Sequence, residues 1–116
     1  RMAQGQGGCI INISSSGALI ALPQVVPYGA AKAALNAMTV SLAREYAPKV
    51  RVNTISPGPF LTDIAEAWDP KKREEQPVAL GRPGNPAEIV TAALMLASPA
   101  SSYTTGALVR VDGGQV

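Results

Sequence analysis

Three short apolar segments along the chain predict β-strands. Residues 9–14 are almost continuously apolar, which is typical of a strand buried on both faces of a parallel sheet. Residues 50–55 are β-branched and alternate largely with the period of two that a half-buried strand requires. Residues 107–111 form the third segment, and Asp112-Gly113-Gly114 follows it as a turn.

Between the first two strands, the composition predicts a long helix over residues 28–47. It is rich in alanine and lies between Pro27, which suits a helix start, and Pro48, which ends it. Its larger apolar side chains fall near one face: Leu35, Met38, Leu42 and Tyr46. Because the first four turns carry so little charge, we expect protein to cover this helix on more than one side.

A second helix is predicted for residues 86–97. Asn85 is its expected N-cap, Pro86 takes the first helical position, and Glu88 stands three residues after the cap. Residues 61–76 are predicted to form one or two short helices on a mobile loop. The order of elements is therefore β-α-β-(short α)-α-β.

Strands that alternate with helices imply right-handed crossovers and a parallel sheet, so the fold class is α/β. The chain of 116 residues is large enough for one domain with one hydrophobic core. Three parallel strands make a small sheet, and we expect the strand around Ile11 to have a free edge.

Composition narrows the possible functions. Hydrophobic residues make up 47% of the chain and the net charge is +2, so disorder and nucleic-acid binding are disfavoured. The absence of histidine excludes His-based metal sites and Ser–His–Asp triads within the chain, and we expect no metal. A single cysteine, Cys9, fits a cytoplasmic location. No apolar run reaches the length of a membrane span, so no membrane contact is expected.

Candidate chemistry begins with Tyr28 and Lys32, which stand four residues apart and so share one helix face. A nearby ammonium favours the phenolate, and a tyrosine in that setting can act as a general acid or base. On its own this spacing is common on helices. Ser15 supports a catalytic role for Tyr28 and Lys32, because it follows a predicted buried strand and so lies at the sheet edge where α/β folds bind ligands. Because Ser14 and Ser16 flank it, the sequence leaves open which of the three serines takes this role.

These residues and four other segments together resemble the short-chain dehydrogenase/reductase family. Ser15 followed by Tyr28-Gly-Ala-Ala-Lys32 matches the family's Ser, Tyr-x-x-x-Lys motif. The other matching segments are Arg51 to Gly58, Thr62-Asp63, Gly81 to Ile89 and Thr105 to Gly114. The matches cover essentially the whole chain in the family's order. The resemblance implies the C-terminal half of a Rossmann-like, doubly wound parallel sheet, with about three strands and flanking helices.

The resemblance also implies roles for the catalytic residues. Tyr28 is the expected acid/base for the substrate oxygen, and Ser15 is expected to hold that oxygen and stabilise its developing charge. Lys32 is expected to support the phenolate and to hydrogen-bond the nicotinamide ribose. The implied reaction is interconversion of a carbonyl and a secondary alcohol with NAD or NADP, and the substrate is a small molecule.

Further residues are implied to contact the nicotinamide, counting Tyr28 and Lys32 as cofactor ligands as well. Pro57 and Gly58 are expected to flank the ring, with the glycine allowing close backbone approach. Phe60 and Thr62 are expected near the carboxamide. Phe60 and Trp68 are also candidates to line the substrate pocket. A core-filling role is about as well supported as that one for Phe60, and better supported for Trp68.

The sequence departs from the family pattern in lacking the glycine-rich turn that receives the pyrophosphate. Gly7 and Gly8 precede a strand, whereas that turn follows one. We therefore expect residues 1–116 to be the catalytic half alone, without the N-terminal nucleotide-binding half, and to be inactive in isolation. The parent is expected to be a homo-oligomeric oxidoreductase. The alternative is a non-catalytic half-domain that serves in binding or oligomerisation.

Overall fold

The computed structural model describes residues 7–61 and 78–115. They form three strands, β1 (Gly8–Ile13), β2 (Val50–Pro57) and β3 (Leu108–Val111), and two α-helices, α1 (Val26–Tyr46) and α2 (Ala87–Ala97). Short 3-10 turns lie at Ser16–Ala18 and Pro99–Ser101. The short helices expected near residues 61–76, together with Thr62 and Trp68, lie outside the described residues apart from Leu61.

The three strands form one parallel sheet in the order β1-β2-β3. The β1–β2 register runs from Gly8 opposite Val50 to Ile13 opposite Ile55, and β3 begins opposite Thr54. The parallel α/β prediction is therefore confirmed. Within the described residues, β1 pairs only with β2, which leaves its other edge free as expected.

The central strand supplies most of the core. Five consecutive residues of β2, Val52 to Ser56, are buried almost completely. Val50 and Val52 pack with Ala43 of α1, and Leu42 lies partly buried against them. The strand also runs two residues further than predicted, to Pro57, because parallel pairing with β3 continues to Val111. Ser56 and Pro57 therefore extend the strand.

The long helix differs from its prediction in bounds and in burial. It begins at Val26, so Pro27 lies in its first turn, where a missing N–H breaks no helical hydrogen bond. Its buried residues are Thr39 and Ala43, whereas Met38 and Tyr46 are exposed. Within the described residues, the cover expected on more than one side is not present: the buried residues of α1 lie on the side that packs on the sheet, and Val26 is 62% exposed.

Two polar side chains of β2 tie the second half of the chain to the sheet. The Arg51 guanidinium donates to the carbonyl oxygens of Leu96, Ser98 and Thr104 at 2.9 to 3.3 Å. Asn53, fully buried, donates from Nδ2 to Thr104 O and accepts at Oδ1 from Ala107 N–H, both at 3.0 Å. These bonds hold the end of α2 and the approach to β3 against the central strand. Asn53 therefore has a structural role in this fold.

The start of α2 is fixed by an ion pair. Arg82 donates to both carboxylate oxygens of Glu88, at 2.7 and 2.9 Å, and Glu88 also accepts from the Asn85 backbone N–H. The helix begins at Ala87, and the Asn85 side chain does not cap it. A capping box would pair the Asn85 side chain with the backbone and Glu88 with the Asn85 N–H. Here only the Glu88 bond is formed.

We expect Asn53→Ala to destabilise the chain, because it leaves the Ala107 N–H without its acceptor and Thr104 O with Arg51 as its remaining donor. The free energy of unfolding should fall by about 2 kcal/mol, measured by urea titration. Asn85→Ala is the matched control, since Asn85 is exposed, and should change it by less than about 0.5 kcal/mol. Equal stability of the two variants would contradict the assigned role of Asn53.

The hydrogen bonds from Arg82 and Asn85 lower the pKa of Glu88 from 4.5 to about 2. Because the folded-state pKa is depressed, the pair's stabilisation is complete above pH 4.5 and is lost as the pH falls through about 2. In an NMR titration of the carboxyl carbon, Arg82→Met should raise the pKa of Glu88 toward 4.5. Arg44→Met, which removes another exposed arginine, should leave that titration unchanged. An unchanged pKa of Glu88 in the Arg82→Met variant would contradict the pairing.

Candidate active site

The candidate site lies at the carboxyl edge of the sheet, where β1 and β2 end. The chain leaves β1 at Ile13, passes through the serines into the 3-10 turn, and enters α1 at Val26. A crossover helix runs back against the strands, so its first turn stands at the edge where the preceding strand ends. This topology brings the residues after β1 and the start of α1 to one place.

The structure distinguishes the three consecutive serines. Ser14 is 3% exposed and donates from Oγ to the backbone oxygen of Lys32 at 3.2 Å, and Ser16 is 8% exposed. Ser15 is half-buried, and its Oγ accepts a hydrogen bond from Gly17 N–H at 3.0 Å. Ser15 is therefore the most accessible of the three, and one N–H fixes the direction of its hydroxyl oxygen.

Tyr28 and Lys32 share one face at the start of α1. The Lys32 ammonium lies 5.8 Å from the centre of the Tyr28 ring, and it donates to the backbone oxygen of Ile13 at 3.0 Å. Tyr28 is 49% exposed. The ammonium is thus tethered to the end of β1, close to the tyrosine ring, while the ring stays open to solvent.

Gly17 shows how close Ser15 and Tyr28 are. A Cβ atom on Gly17 would lie 3.3 Å from Ser15 Oγ and 3.5 Å from Tyr28 Cε1. It would also lie 2.5 Å from Leu22 Cδ1, so a methyl group there requires Leu22 to move. The serine hydroxyl and one edge of the tyrosine ring therefore border the same small space. With Lys32 nearby, the structure brings together the three residues that the sequence motif named.

Gly58 lies close to the backbone at the end of β3. A Cβ atom at this position would lie 2.7 Å from both Cα and Cβ of Asp112. Its N–H donates to Val111 O at 2.9 Å. The glycine is therefore required by the packing of the chain after β2 against the end of β3. Close approach to a nicotinamide is not needed to explain it.

Phe60 packs against Gly84 within the protein. Its ring lies so close to Gly84 that a Cβ there would meet it at 2.6 Å, and the two residues form a β-bridge. Phe60 also lines a cavity of about 450 Å³ at the end of β3, together with Arg82, Asp112 and Gly114 among others. Ser15, Tyr28 and Lys32 do not line this cavity.

The site's donor groups fit one end of a nicotinamide nucleotide. An accessible ammonium and a phenol on one helix face are suitable donors for ribose hydroxyls, and Ser15 Oγ lies beside them. The described residues contain no glycine-rich turn that leads from a strand into a helix, which is the usual pyrophosphate site. The fit therefore extends to the nicotinamide and its ribose.

Sequence comparison identifies the family. The family profile described as Enoyl-(Acyl carrier protein) reductase matches residues 1–115. The chain belongs to the short-chain dehydrogenase/reductase family. It is 52% identical to a sorbose reductase of Candida albicans over 112 residues, and 44% identical to a probable NADP-dependent mannitol dehydrogenase of Yarrowia lipolytica over 114 residues. These matches cover 93% and 96% of this chain.

Solved structures of this dehydrogenase/reductase family show the same fold. A 3-oxoacyl-[acyl-carrier protein] reductase from Brucella melitensis superposes with a TM-score of 0.90 at 37% identity, and the match covers 97% of this chain and 44% of that protein. A 7α-hydroxysteroid dehydrogenase in complex with NADH and 7-oxo glycochenodeoxycholic acid gives 0.91 at 34% identity, over 97% of this chain and 46% of that one.

The chain spans less than half the length of the relatives that it matches. The share is 40% for the sorbose reductase and 41% for the mannitol dehydrogenase. The chain therefore corresponds to the C-terminal half of the family's Rossmann-like sheet, with three parallel strands. The described residues contain neither a helix long and apolar enough to cross a bilayer nor a group of three or more potential metal ligands.

Sequence reasoning missed three contributors to the site geometry. Gly17 lies between Ser15 and Tyr28, and as one small residue in a loop of small residues it carries no distinctive sequence signal. Ser14, predicted only as an alternative to Ser15, donates to the backbone oxygen of Lys32. The Ile13 carbonyl oxygen that accepts from Lys32 has no side-chain signal at all.

Proposed function

We propose that this chain carries the catalytic residues of an NAD(P)-dependent oxidoreductase that interconverts a carbonyl and a secondary alcohol. The observation that supports this most is the closeness of Ser15 Oγ to the Tyr28 ring: both lie within 3.5 Å of the position that a Cβ on Gly17 would take, and the Lys32 ammonium lies 5.8 Å from the ring centre. A small carbonyl oxygen bound beside these two side chains would meet a hydroxyl and a phenol together. A packed tyrosine beside a solvated lysine would not need Ser15 at the same point.

Each side chain has a distinct role in the proposed reaction. A bound reduced nicotinamide supplies a hydride to the carbonyl carbon, and its oxidised form takes one up in the reverse direction. The Tyr28 hydroxyl gives its proton to the carbonyl oxygen as that oxygen gains charge. Ser15 Oγ donates a hydrogen bond to the same oxygen. The Lys32 ammonium, 5.8 Å from the ring centre, stabilises the negative charge left on Tyr28.

Cofactor binding is assigned to residues at the carboxyl ends of β1 and β2. Lys32 and Tyr28 are proposed to bond the ribose, and Pro57 and the backbone at Gly58 are proposed to face the nicotinamide ring. Phe60 and Thr62 remain proposed neighbours of the carboxamide, although the contact of Phe60 with Gly84 also accounts for its presence. Relatives named as NADP-dependent and NAD-dependent both match, so both nucleotides belong in the assay.

The relatives' names indicate which substrates to test first. A sorbose reductase, a mannitol dehydrogenase and a galactitol 2-dehydrogenase are all among the matches, as are 3-oxoacyl-[acyl-carrier-protein] reductases. We therefore propose a polyol and ketose pair as the leading substrate class, with 3-oxoacyl thioesters second.

A non-catalytic binding or oligomerisation module is the second candidate, and the exposed apolar surface is the interface that it would use. Val26, Met38 and Val40 of α1 are roughly half exposed or more, and so is Ile13 at the end of β1. The free edge of β1 adds unpaired backbone groups. A homo-oligomer would cover part of this surface in either case, so turnover is what separates the two candidates.

We expect the chain alone to show no turnover, because its described residues lack a pyrophosphate site. Joined to the part of the Candida albicans sorbose reductase that precedes the matched region, it should oxidise NADH or NADPH with a ketose panel. The measurement is the loss of reduced-nicotinamide absorbance, and the intact sorbose reductase is the control. A folded fusion protein without turnover would favour the module. Turnover by the chain alone would contradict its expected inactivity.

Substitutions in the fusion protein test the individual roles. Tyr28→Phe should lower kcat by about 10²- to 10⁴-fold, the usual contribution of a general acid or base. Tyr46→Phe, at the other end of the same helix, should leave kcat unchanged. Ser15→Ala should lower kcat by about 10²-fold, as expected for one lost donor to a developing oxyanion.

Ser16→Ala is the matched control for Ser15→Ala, and it should retain most of the activity. Equal losses for Ser15→Ala and Ser16→Ala would show that the serine register is wrong. Full activity in Tyr28→Phe would refute the acid/base role.

A further inference from the structure

One hydroxyl, that of Thr39, joins the three elements that carry the proposed site. Thr39 lies in the middle of α1 and is 1% exposed. Its Oγ1 accepts from Asn12 Nδ2 of β1 at 3.0 Å and from Thr54 Oγ1 of β2 at 2.8 Å, and it donates to Leu35 O at 2.8 Å. A hydroxyl has one donor and two acceptor positions, so this one is fully used.

The partners of Thr39 connect to the site through short, ordered segments. Asn12 precedes Ser15 by three residues, and Thr54 lies three residues before the end of β2. Lys32 lies about two helical turns before Thr39 on the same helix. A displacement of the helix at Thr39 is therefore transmitted to Lys32 and to the first turn of α1.

We propose that Thr39 is a positioning residue that fixes the register of α1 against β1 and β2, and so the placement of Tyr28 and Lys32 beside Ser15. This inference rests on the proposed function. It assigns Thr39 no contact with substrate or cofactor.

The other contacts of α1 with the sheet set its register less strictly. Ala43 packs on Val50 and Val52, and such apolar contacts are non-directional. Hydrogen bonds have narrow ranges of length and angle, so those at Thr39 select one position along the strands. Nearer the start of the helix, Ser14 donates from Oγ to the Lys32 backbone oxygen, and Lys32 Nζ donates to the Ile13 oxygen of β1. Two separated attachment points define the direction of a rod, whereas one leaves it free to swing.

The first test uses amide hydrogen exchange on the chain itself. Thr39→Val keeps the shape but leaves the two donors without an acceptor, so the amides of the first half of α1 should exchange about tenfold faster relative to those of β2. Thr39→Ser keeps the hydroxyl and should restore the wild-type ratio. Leu96→Ala removes a buried side chain of α2 and should lower stability without changing that ratio.

The second test uses turnover of the fusion protein. Thr39→Val should lower kcat about 10²-fold with an unchanged KM, because misplacement of about 1 Å at reacting groups costs that much. Thr39→Ser should retain most of the rate. Thr91→Val, an exposed threonine of α2, is the matched control and should be fully active. If Thr39→Val does not fold, Asn12→Ala removes a single donor and should give a smaller loss in the same direction.

The outcomes separate this proposal from the proposed function. If Tyr28→Phe abolishes turnover while Thr39→Val matches Thr39→Ser in rate and in exchange, the positioning role is wrong and the reaction stands. If Tyr28→Phe leaves turnover unchanged, the proposed function fails. The ratio of amide exchange in the first half of α1 to that in β2 then decides alone whether Thr39 sets the register of α1. A loss in Thr39→Val confined to KM would also overturn the positioning role.

Discussion

The parallel pairing of β1 with β2 is the constraint on which the rest of the structure depends. Because both strands end at the same edge, the chain can return only through a crossover, and α1 must start where β1 finishes. The residues after β1 and the first turn of α1 therefore meet by topology, before any individual contact is considered. In this chain those residues are Ser15, Tyr28 and Lys32.

Directional polar contacts hold much of this arrangement together. Among residues 7–61 and 78–115, the buried apolar side chains are few: Ala43, Val50, Val52, Ile55 and Leu96. Around them, Arg51 and Asn53 attach the second half of the chain to β2, and Thr39 attaches α1. A small core gives compactness with little positional selectivity, whereas hydrogen bonds select one register. The fold therefore depends on its buried polar residues for geometry as much as for stability.

The same geometry explains why α1 is exposed on most of its surface. A helix on a three-stranded sheet contacts protein on one side only. Because α1 has few charged residues, its solvent-facing side includes apolar residues such as Val26 and Met38. Relatives more than twice as long show the same fold in the matched region. The exposed apolar surface and the free edge of β1 are the parts of this chain that a longer sheet or a partner subunit would cover.

Much of the fold could be predicted because strands and helices here carry strong local signals. The β-branched run from Val50 and the prolines around α1 located both elements to within two or three residues. Burial could not be predicted in the same way: the apolar stripe at Met38 and Tyr46 indicated one face, but the sheet contacts the face of Thr39 and Ala43. Small residues pack closest to a sheet, and a pattern of large hydrophobic residues does not identify their positions.

Some features of the candidate site could be predicted from the sequence, and others could not. Side-chain chemistry marked Tyr28 and Lys32, whereas the backbone oxygen of Ile13 and the gap at Gly17 emerge only from three-dimensional packing. The family resemblance implies that Gly58 flanks the nicotinamide, which remains a prediction. The packing of Gly58 against Asp112 is a second reason for a glycine there, and only the three-dimensional structure shows it.

The most direct test of the central claim is a nuclear Overhauser measurement on the isotope-labelled chain, between the ring protons of Tyr28 and the α-protons of Gly17. If the serine and the phenol border one space, a strong cross-peak should appear, with a further one from the ring to the β-protons of Ser15. A folded chain that lacks both cross-peaks would place the two side chains in separate environments and contradict the account of the site.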